Sequence, residues 1–222
     1  MKIIAHRGWS ARYPENTMLA FKKAIDAGAD GIETDLRLSH DGRIMLFHDD
    51  DLKRLTGHAG SIETLSFEIL RSFTIGEEEA KIAALDELLA LVEGRVTLIL
   101  EVKYVPATYR KLCQTLAEKI ADKTDWVEVS CFEDRVLDYL HGLEPRIRLH
   151  KLIEKATVLE DEAWTECCAY VGYLDIDVAL RSLALQKNLF EKYKIILWTV
   201  QKEDLKEEVQ AGLYGIMVDD LS

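Results

Sequence analysis

The chain is predicted to be an α/β protein, a single (β/α)8 barrel carrying a β-hairpin extension after its second strand. Three observations predict it. A length of 222 residues suits one closed barrel better than two separate domains. Short runs of β-branched and aliphatic residues alternate with longer segments of helical periodicity, which is the pattern of repeated βα units around a parallel sheet. One further apolar run, Arg43 to Phe47, follows its predecessor too closely for the dozen-residue crossover that a parallel neighbour needs.

Taken in order, the candidate barrel strands lie near residues 2 to 6, 31 to 36, 97 to 103, 127 to 131, 147 to 152, 172 to 177, 195 to 200 and 215 to 219. Helices are expected near 15 to 27, 84 to 92, 107 to 122, 133 to 141, 157 to 168, 180 to 191 and 203 to 210. Eight strands favour closure, although an open doubly wound sheet fits the alternation too. The run from Arg43 must double back as a hairpin, and Asp41-Gly42 is a favoured two-residue type I′ turn. With those two residues as the loop, His40 pairs with Arg43, and counting back along both arms sets Asp35 opposite His48. The segment from Thr56 to Ala84 is the least regular and reads as an elaborated loop with a short helix. No linker or low-complexity tract interrupts the chain, so residues 1 to 222 are expected to form one domain.

Composition narrows the function classes. Hydrophobic residues make up 48% and charged residues 31%, enough for a large core inside a solvated exterior. A net charge of -12 argues against a nucleic-acid partner, which needs clustered Lys and Arg. A phosphate-bearing substrate would then rely on local basic groups or a metal ion. Cys113, Cys131, Cys167 and Cys168 show neither zinc-ligand spacing nor disulfide density, so they read as reduced and buried. The adjacent Cys167-Cys168 pair has a redox reading and a helix-packing one. No apolar run approaches transmembrane length and the first strand begins at Lys2, so a cytoplasmic protein without stable membrane insertion is expected.

Reactive groups in such a barrel belong at the carboxyl ends of strands, where the loops converge on one mouth. His6 and Arg7 end the first strand, Glu33 and Asp35 lie late in the second, His48 closes the hairpin, and Glu101 and Lys103 end the third. Strand alternation turns Glu33 and Asp35 to the same inward face, and Glu101 and Lys103 share that spacing. Three converging carboxylates repel unless a cation or protons compensate them, and an all-oxygen set favours Mg²⁺, Mn²⁺ or Ca²⁺ over zinc. A salt bridge or solvent exposure is the ordinary alternative for any one of them. Two imidazoles near neutral pH can divide the base and acid roles of a proton transfer. Arg7 and Lys103 are suited to phosphate oxygens, the first by its planar fork and the second as a point charge. His40, His58, His141 and His150 read as packed or surface residues.

Those residues, with their neighbours, resemble the glycerophosphodiester phosphodiesterase family. The resemblance runs through Ile4-Ala5-His6-Arg7-Gly8, Pro14-Glu15-Asn16-Thr17, Gly31-Ile32-Glu33-Thr34-Asp35, Asp41-Gly42 and Phe47-His48-Asp49. It continues through Leu52, Arg54, Thr56 and Gly57 to Leu100-Glu101-Val102-Lys103, and more weakly through Ser130-Cys131-Phe132 and Trp198-Thr199-Val200. It implies a TIM barrel that cleaves small-molecule glycerophosphodiesters to glycerol 3-phosphate and an alcohol with one divalent cation. By position His6 matches the general base, His48 the general acid, Glu33, Asp35 and Glu101 the metal ligands, and Arg7 and Lys103 the phosphate contacts. Glu15 and Asn16 match a supporting motif, with helix-start structuring as their other reading. Trp198 matches an aromatic near the substrate, though a strand Trp is as often core. Gln201 stands where the family usually has Asn, Cys131 where it commonly has Ser, and the terminal motif from Gly212 to Leu221 lacks its first Asp, its Thr and its Pro. Two other functions fit the same residues: a lysophospholipase D with an apolar entrance drawn from Ile62, Leu65, Phe67, Ile69, Leu70 and Phe73, and a catalytically silent barrel that binds phosphorylated ligands.

Overall fold

The eight apolar runs become the staves of a closed barrel in the computed structural model, which describes residues 1–77, 79–161, 169–201 and 213–222. They are β1 (Lys2–His6), β2 (Gly31–Leu38), β3 (Thr97–Val102), β4 (Val127–Cys131), β5 (Arg148–Ile153), β6 (Tyr173–Asp177), β7 (Lys194–Trp198) and β8 (Gly215–Val218). Each strand pairs in parallel with the next. Strand β8 returns to β1 through Lys2↔Gly215 and Ala5↔Val218, which closes the ring and excludes the open sheet.

Period-two alternation divides each stave between two environments. Ala5, Ile32, Leu36, Leu98, Leu100, Val129, Leu174 and Ile216 point outward into the main apolar cluster beneath the helices. Ile4, Ile99, Ile196 and Met217 point inward and form a smaller apolar cluster of their own. Helix α1 (Met18–Asp26) starts where the Thr17 hydroxyl accepts a hydrogen bond from the Ala20 amide at 3.2 Å, and it buries Ala20, Phe21 and Ala24. Helices α2 (Leu85–Val92), α3 (Tyr109–Ile120) and α4 (Asp134–Leu143) likewise bury an apolar face; α3 buries Leu112, Leu116 and Ile120 at four-residue spacing. The expected helix near 157 to 168 is described only over Ala156–Glu160, and Cys167-Cys168 and the helix near 203 to 210 lie outside the described residues. Cys113 and Cys131 are free thiols and buried. The described residues contain no helix long and apolar enough to cross a membrane.

The hairpin forms, but its register is one residue away from the expected one. Strand β2 pairs antiparallel with Ile44–Leu46 through Leu36↔Leu46, Arg37↔Met45 and Leu38↔Ile44. Ser39 therefore opposes Arg43, its amide donating to the Arg43 carbonyl at 2.8 Å, and the loop has three residues with Gly42 at φ 85°. The cause is local. The Asp41 carboxylate accepts from the Ser39 hydroxyl at 2.6 Å and from the Phe67 amide at 3.0 Å, which favours a loop closed by a left-handed glycine over a type I′ turn. Asp35 consequently faces Phe47, whose amide donates to its carbonyl at 3.0 Å, and not His48.

Beyond the hairpin, the irregular segment holds short helices at Lys53–Thr56 and Phe67–Ser72, a 3-10 turn at Ile62–Thr64 and a small antiparallel pair, Thr74–Ile75 with Ala80–Lys81. Its apolar side chains build a satellite core in which Met45, Phe47, Leu52, Ile62, Leu70, Ile75 and Ile82 are buried and Leu65, Phe67 and Phe73 pack against them. Of the six residues considered for an apolar entrance, Ile69 stays exposed.

Candidate active site

The register of the first three staves sets His6 beside Glu33 and Asp35 beside Glu101. Alternation turns Glu33, Asp35 and Glu101 into the barrel, all three are buried, and each offers an oxygen within 4.8 Å of the others. Lys103 reaches back over them, its Nζ 2.5 Å from Glu101 Oε1 and 2.9 Å from Asp35 Oδ1. Burial opposes ionisation at all three acids, and the outcome depends on nearby charge. Lys103 and Arg7 overcome burial at Asp35 and hold it well below the usual carboxylate range. Glu33 is pushed up to about 8 by burial and the Asp35 charge, and Glu101 to about 7 by burial and Asp35 against the pull of Lys103. Lys103 and Arg7, whose Nε lies 3.3 Å from Asp35 Oδ2, are thus spent chiefly on Asp35 and leave Glu33 and Glu101 short of positive charge. An oxygen-only trio at this spacing fits a hard divalent cation.

The loop from β1 to α1 supplies the next layer. Arg7 and Gly8 adopt positive φ, 56° and 81°, and turn the chain back over the mouth. A Cβ on Gly8 would lie 2.7 Å from the Ala20 carbonyl carbon, so glycine is required by contact as well as by conformation. The Arg7 amide donates to Glu33 Oε2 at 3.2 Å, and its Nη1 donates to Glu15 Oε1 at 3.0 Å. Asn16 is fully buried; its Nδ2 donates to Asp35 Oδ2 at 2.8 Å while its Oδ1 accepts from the Thr34 hydroxyl at 2.6 Å. Glu15 and Asn16 are therefore spent on the site, not on starting the helix.

Both histidines are tethered by Nδ1. That atom of His6 lies 2.7 Å from Asp219 Oδ1, which also accepts from the Ser10 hydroxyl at 3.1 Å, and His6 Nε2 is 3.9 Å from Glu33 Oε2. In His48, Nδ1 lies 2.9 Å from Asp49 Oδ1. The slipped register does not keep His48 from the mouth, because the ladder ends with the Phe47 amide on the Asp35 carbonyl and the chain bends beyond it. Buried Arg37 holds that bend by donating from Nε and Nη2 to the His48 carbonyl at 3.1 and 2.9 Å, and from Nη1 to Glu63 at 2.9 Å. Burial opposes protonation of His6, but the Asp219 hydrogen bond and the Glu33 charge outweigh it and raise its pKa. Burial lowers the pKa of His48, with Lys103 assisting and Asp35 resisting.

His6, Arg7, Glu33, His48, Glu101 and Lys103 line one arc of a cavity of about 240 Å³, and Ser130, Phe132, Leu152, Glu154, Trp198 and Thr199 line the other. Trp198 donates its indole N–H to the Asp175 carbonyl at 2.9 Å and meets Phe132 edge-on at 5.9 Å. The Cys131 thiol points away from the cavity, donating to the Val102 carbonyl at 3.2 Å, while Gln201 is exposed beyond β7. All ten residues singled out from the sequence thus belong to the mouth or its immediate support. Asp219, Asp49 and Arg54 were not among them as working groups. Asp219 was within reach of the strand-end rule, since closure of β8 on β1 through Ala5↔Val218 brings it beside His6.

The profile of the glycerophosphoryl diester phosphodiesterase family matches residues 6–222, from His6 onward. The chain belongs to that family. It is 30% identical to a glycerophosphodiester phosphodiesterase of Caldanaerobacter subterraneus subsp. tengcongensis, over 98% of this chain and 93% of the relative. The crystal structure of the Thermotoga maritima glycerophosphodiester phosphodiesterase superposes with a TM-score of 0.85 at 26% identity, covering 100% of this chain and 95% of that one. A phosphodiesterase of Oleispira antarctica, solved in complex with the product sn-glycerol-3-phosphate, superposes with a TM-score of 0.86 at 24% identity, covering 99% and 93%. Family membership makes the chain an enzyme, a phosphoric diester hydrolase.

Proposed function

We propose that the chain hydrolyses glycerophosphodiesters to glycerol 3-phosphate and an alcohol, with one divalent cation held by Glu33, Asp35 and Glu101. The observation that carries this is the buried carboxylate trio with two carboxylate-tethered histidines and two cationic side chains around one cavity. The product bound by the Oleispira antarctica relative supports the choice of glycerol 3-phosphate. The bound cation would supply Lewis-acid stabilisation of the phosphoryl oxygens. Arg7 and Lys103 bind those oxygens and offset the charge that builds on them in the transition state. His6, its Nδ1 engaged by Asp219, presents Nε2 to take the proton of the nucleophile, which is water or a neighbouring substrate hydroxyl. His48, its Nδ1 engaged by Asp49, protonates the departing alkoxide from Nε2.

A second reading exchanges the two histidines, because the surrounding charges favour a protonated His6 and a neutral His48. The leaving group separates the readings. Alanine variants of His6 and His48 are assayed on glycerophosphocholine and on a p-nitrophenyl phosphodiester, whose leaving group needs no proton. Each variant is expected to lose about 10²- to 10⁴-fold on glycerophosphocholine. The variant that recovers on the activated ester lacks the acid, and recovery by His6→Ala would reverse the assignment. Retention of activity after EDTA treatment, with no ion detected by elemental analysis, would remove the cation from the proposal.

The remaining expectations complete the reading: one domain over residues 1–222, a small-molecule substrate and a cytoplasmic setting, which the reduced and buried Cys113 and Cys131 suit. A lysophospholipid substrate is less well served. Of the six side chains considered for its apolar entrance, five are already used by the satellite core and only Ile69 is exposed.

A further inference from the structure

We infer that Arg54 is a positioning residue for this reaction, fastening the loop that carries His48 to the loop that carries Arg7. The inference rests on the roles proposed for those two residues. Arg54 lies on neither loop; it belongs to the short helix Lys53–Thr56. Its Nε and Nη2 grip Asp49 at 2.6 and 2.8 Å, and its Nη1 and Nη2 grip Glu15 at 2.9 and 2.8 Å. The same Asp49 carboxylate engages His48 Nδ1 at 2.9 Å, and the same Glu15 carboxylate accepts from Arg7 Nη1 at 3.0 Å. One guanidinium therefore completes an unbroken chain from His48 through Asp49, itself and Glu15 to Arg7.

Two features separate this chain from an ordinary surface ion pair. An ordinary exposed pair contributes little to stability. Here each carboxylate is held at both oxygens by a planar fork, a geometry that a lysine point charge cannot reproduce. The carboxylates are also the more sheltered partners, 21% and 16% exposed against 48% for Arg54. Asp49, pushed down to about 2 by Arg54 and His48, stays an acceptor and does not compete for the imidazole proton. His48 is thereby kept with its proton on Nδ1 and Nε2 available for exchange. Loss of the clamp removes no reacting group but lets His48 and Arg7 drift independently, and a shift on the order of 1 Å is enough to cost about 10² in rate.

The test compares Arg54→Ala and Arg54→Lys with wild type on glycerophosphocholine, with thermal unfolding measured in parallel. Both variants are expected to unfold within a few degrees of wild type while kcat falls about 10- to 100-fold. Millimolar guanidinium is expected to restore part of the Arg54→Ala activity, and methylammonium is not. Asp49→Asn is expected to cost much less in the Arg54→Ala background than in wild type. Arg54→Ala within twofold of wild type would overturn the inference, as would a loss that guanidinium leaves untouched and a lowered unfolding temperature accounts for. Wild-type protein that turns over no glycerophosphodiester would overturn the functional reading, and this inference with it.

Discussion

At Asp219 one carboxylate engages Nδ1 of His6 and leaves Nε2 for the role proposed for it. Its Oδ1 lies 2.7 Å from His6 Nδ1 and stays ionised, because that hydrogen bond pulls its pKa down against burial. An ionised acceptor keeps the proton on Nδ1 and the lone pair on Nε2. Asp219→Asn preserves shape but can turn an amide N–H toward the ring, which favours the other tautomer. The expected outcome is a fall in kcat of about 10²-fold or more with KM changed little. Steady-state kinetics on glycerophosphocholine decide it, and an unchanged kcat would show that Asp219 only packs. The carboxylate trio is equally open to test. Glu33→Gln or Asp35→Asn is expected to weaken retention of the divalent ion about 10-fold or more, read by elemental analysis after dialysis. At this scale His6, Arg7, Glu33, Asp35, His48, Glu101 and Lys103 were legible because strand ends and alternation are local properties. Asp219 also lies at a strand end, but its partner His6 is 213 residues away and becomes a neighbour only when β8 closes on β1, and Arg54 bridges to Glu15 across 39 residues, so the pairings of these two are not local properties.

The elements impose their own conditions, and the loop between β1 and α1 is the most demanding. Gly8 and Gly28 have nearly the same positive φ, 81° and 84°, but a Cβ at Gly8 meets the Ala20 backbone at 2.7 Å while nothing lies within 4 Å at Gly28. Gly28→Ala should therefore cost only the left-handed conformation, about 1 kcal/mol. Gly8→Ala adds a backbone clash and should cost clearly more, along with most of the activity, since Arg7 rides on the same turn. Urea unfolding of both variants checks this, and equal losses would refute the contact argument. The hairpin shows where element-level reading reached its limit. Asp41-Gly42 correctly marked a turn, but two- and three-residue loops share that dipeptide, and the choice lay with the side-chain bonds of Asp41 to Ser39 and Phe67. His48 still reaches the mouth because Arg37, on β2, captures its carbonyl after the ladder has ended. The outcome was right by a route the register did not contain.

The barrel as a whole carries charge on both sides of its lumen. Across the barrel from β1, β2 and β3, the strands β4, β5 and β6 contribute Glu128, His150 and Asp175, all buried, with His150 Nε2 2.9 Å from Glu128 Oε2 and Nδ1 3.0 Å from Asp175 Oδ1. The imidazole also stacks on Tyr173 at 4.2 Å, and Arg148 adds a second cation 3.2 Å from Glu128. His150 alone in a strand looked like a packed or surface residue, because its two partners become neighbours only through the barrel register. Burial disfavours its charge, yet the two carboxylates prevail and push its pKa up to about 9. A histidine whose folded pKa lies above its ordinary value of 6.5 contributes stability that is complete below about pH 6.5 and fades as the pH rises through about 9. Glu128, held low by His150 and Arg148 against burial, acts in the opposite sense and only at the acid end. Wild-type unfolding free energy should therefore decline from neutral pH to about pH 9, apart from the general repulsion of a chain with net charge -12. His150→Gln removes the titrating group but keeps the net charge at high pH, which isolates the effect. It should be less stable at pH 7 by about 3–5 kcal/mol, since two buried carboxylates lose their cation, and its decline toward pH 9 should be much shallower. Urea unfolding at several pH values in both proteins decides the matter; parallel curves would mean that His150 is neutral in the folded barrel. The Asp175 carbonyl that accepts the Trp198 indole belongs to the same strand residue, so the far wall of the cavity rests on this ion network.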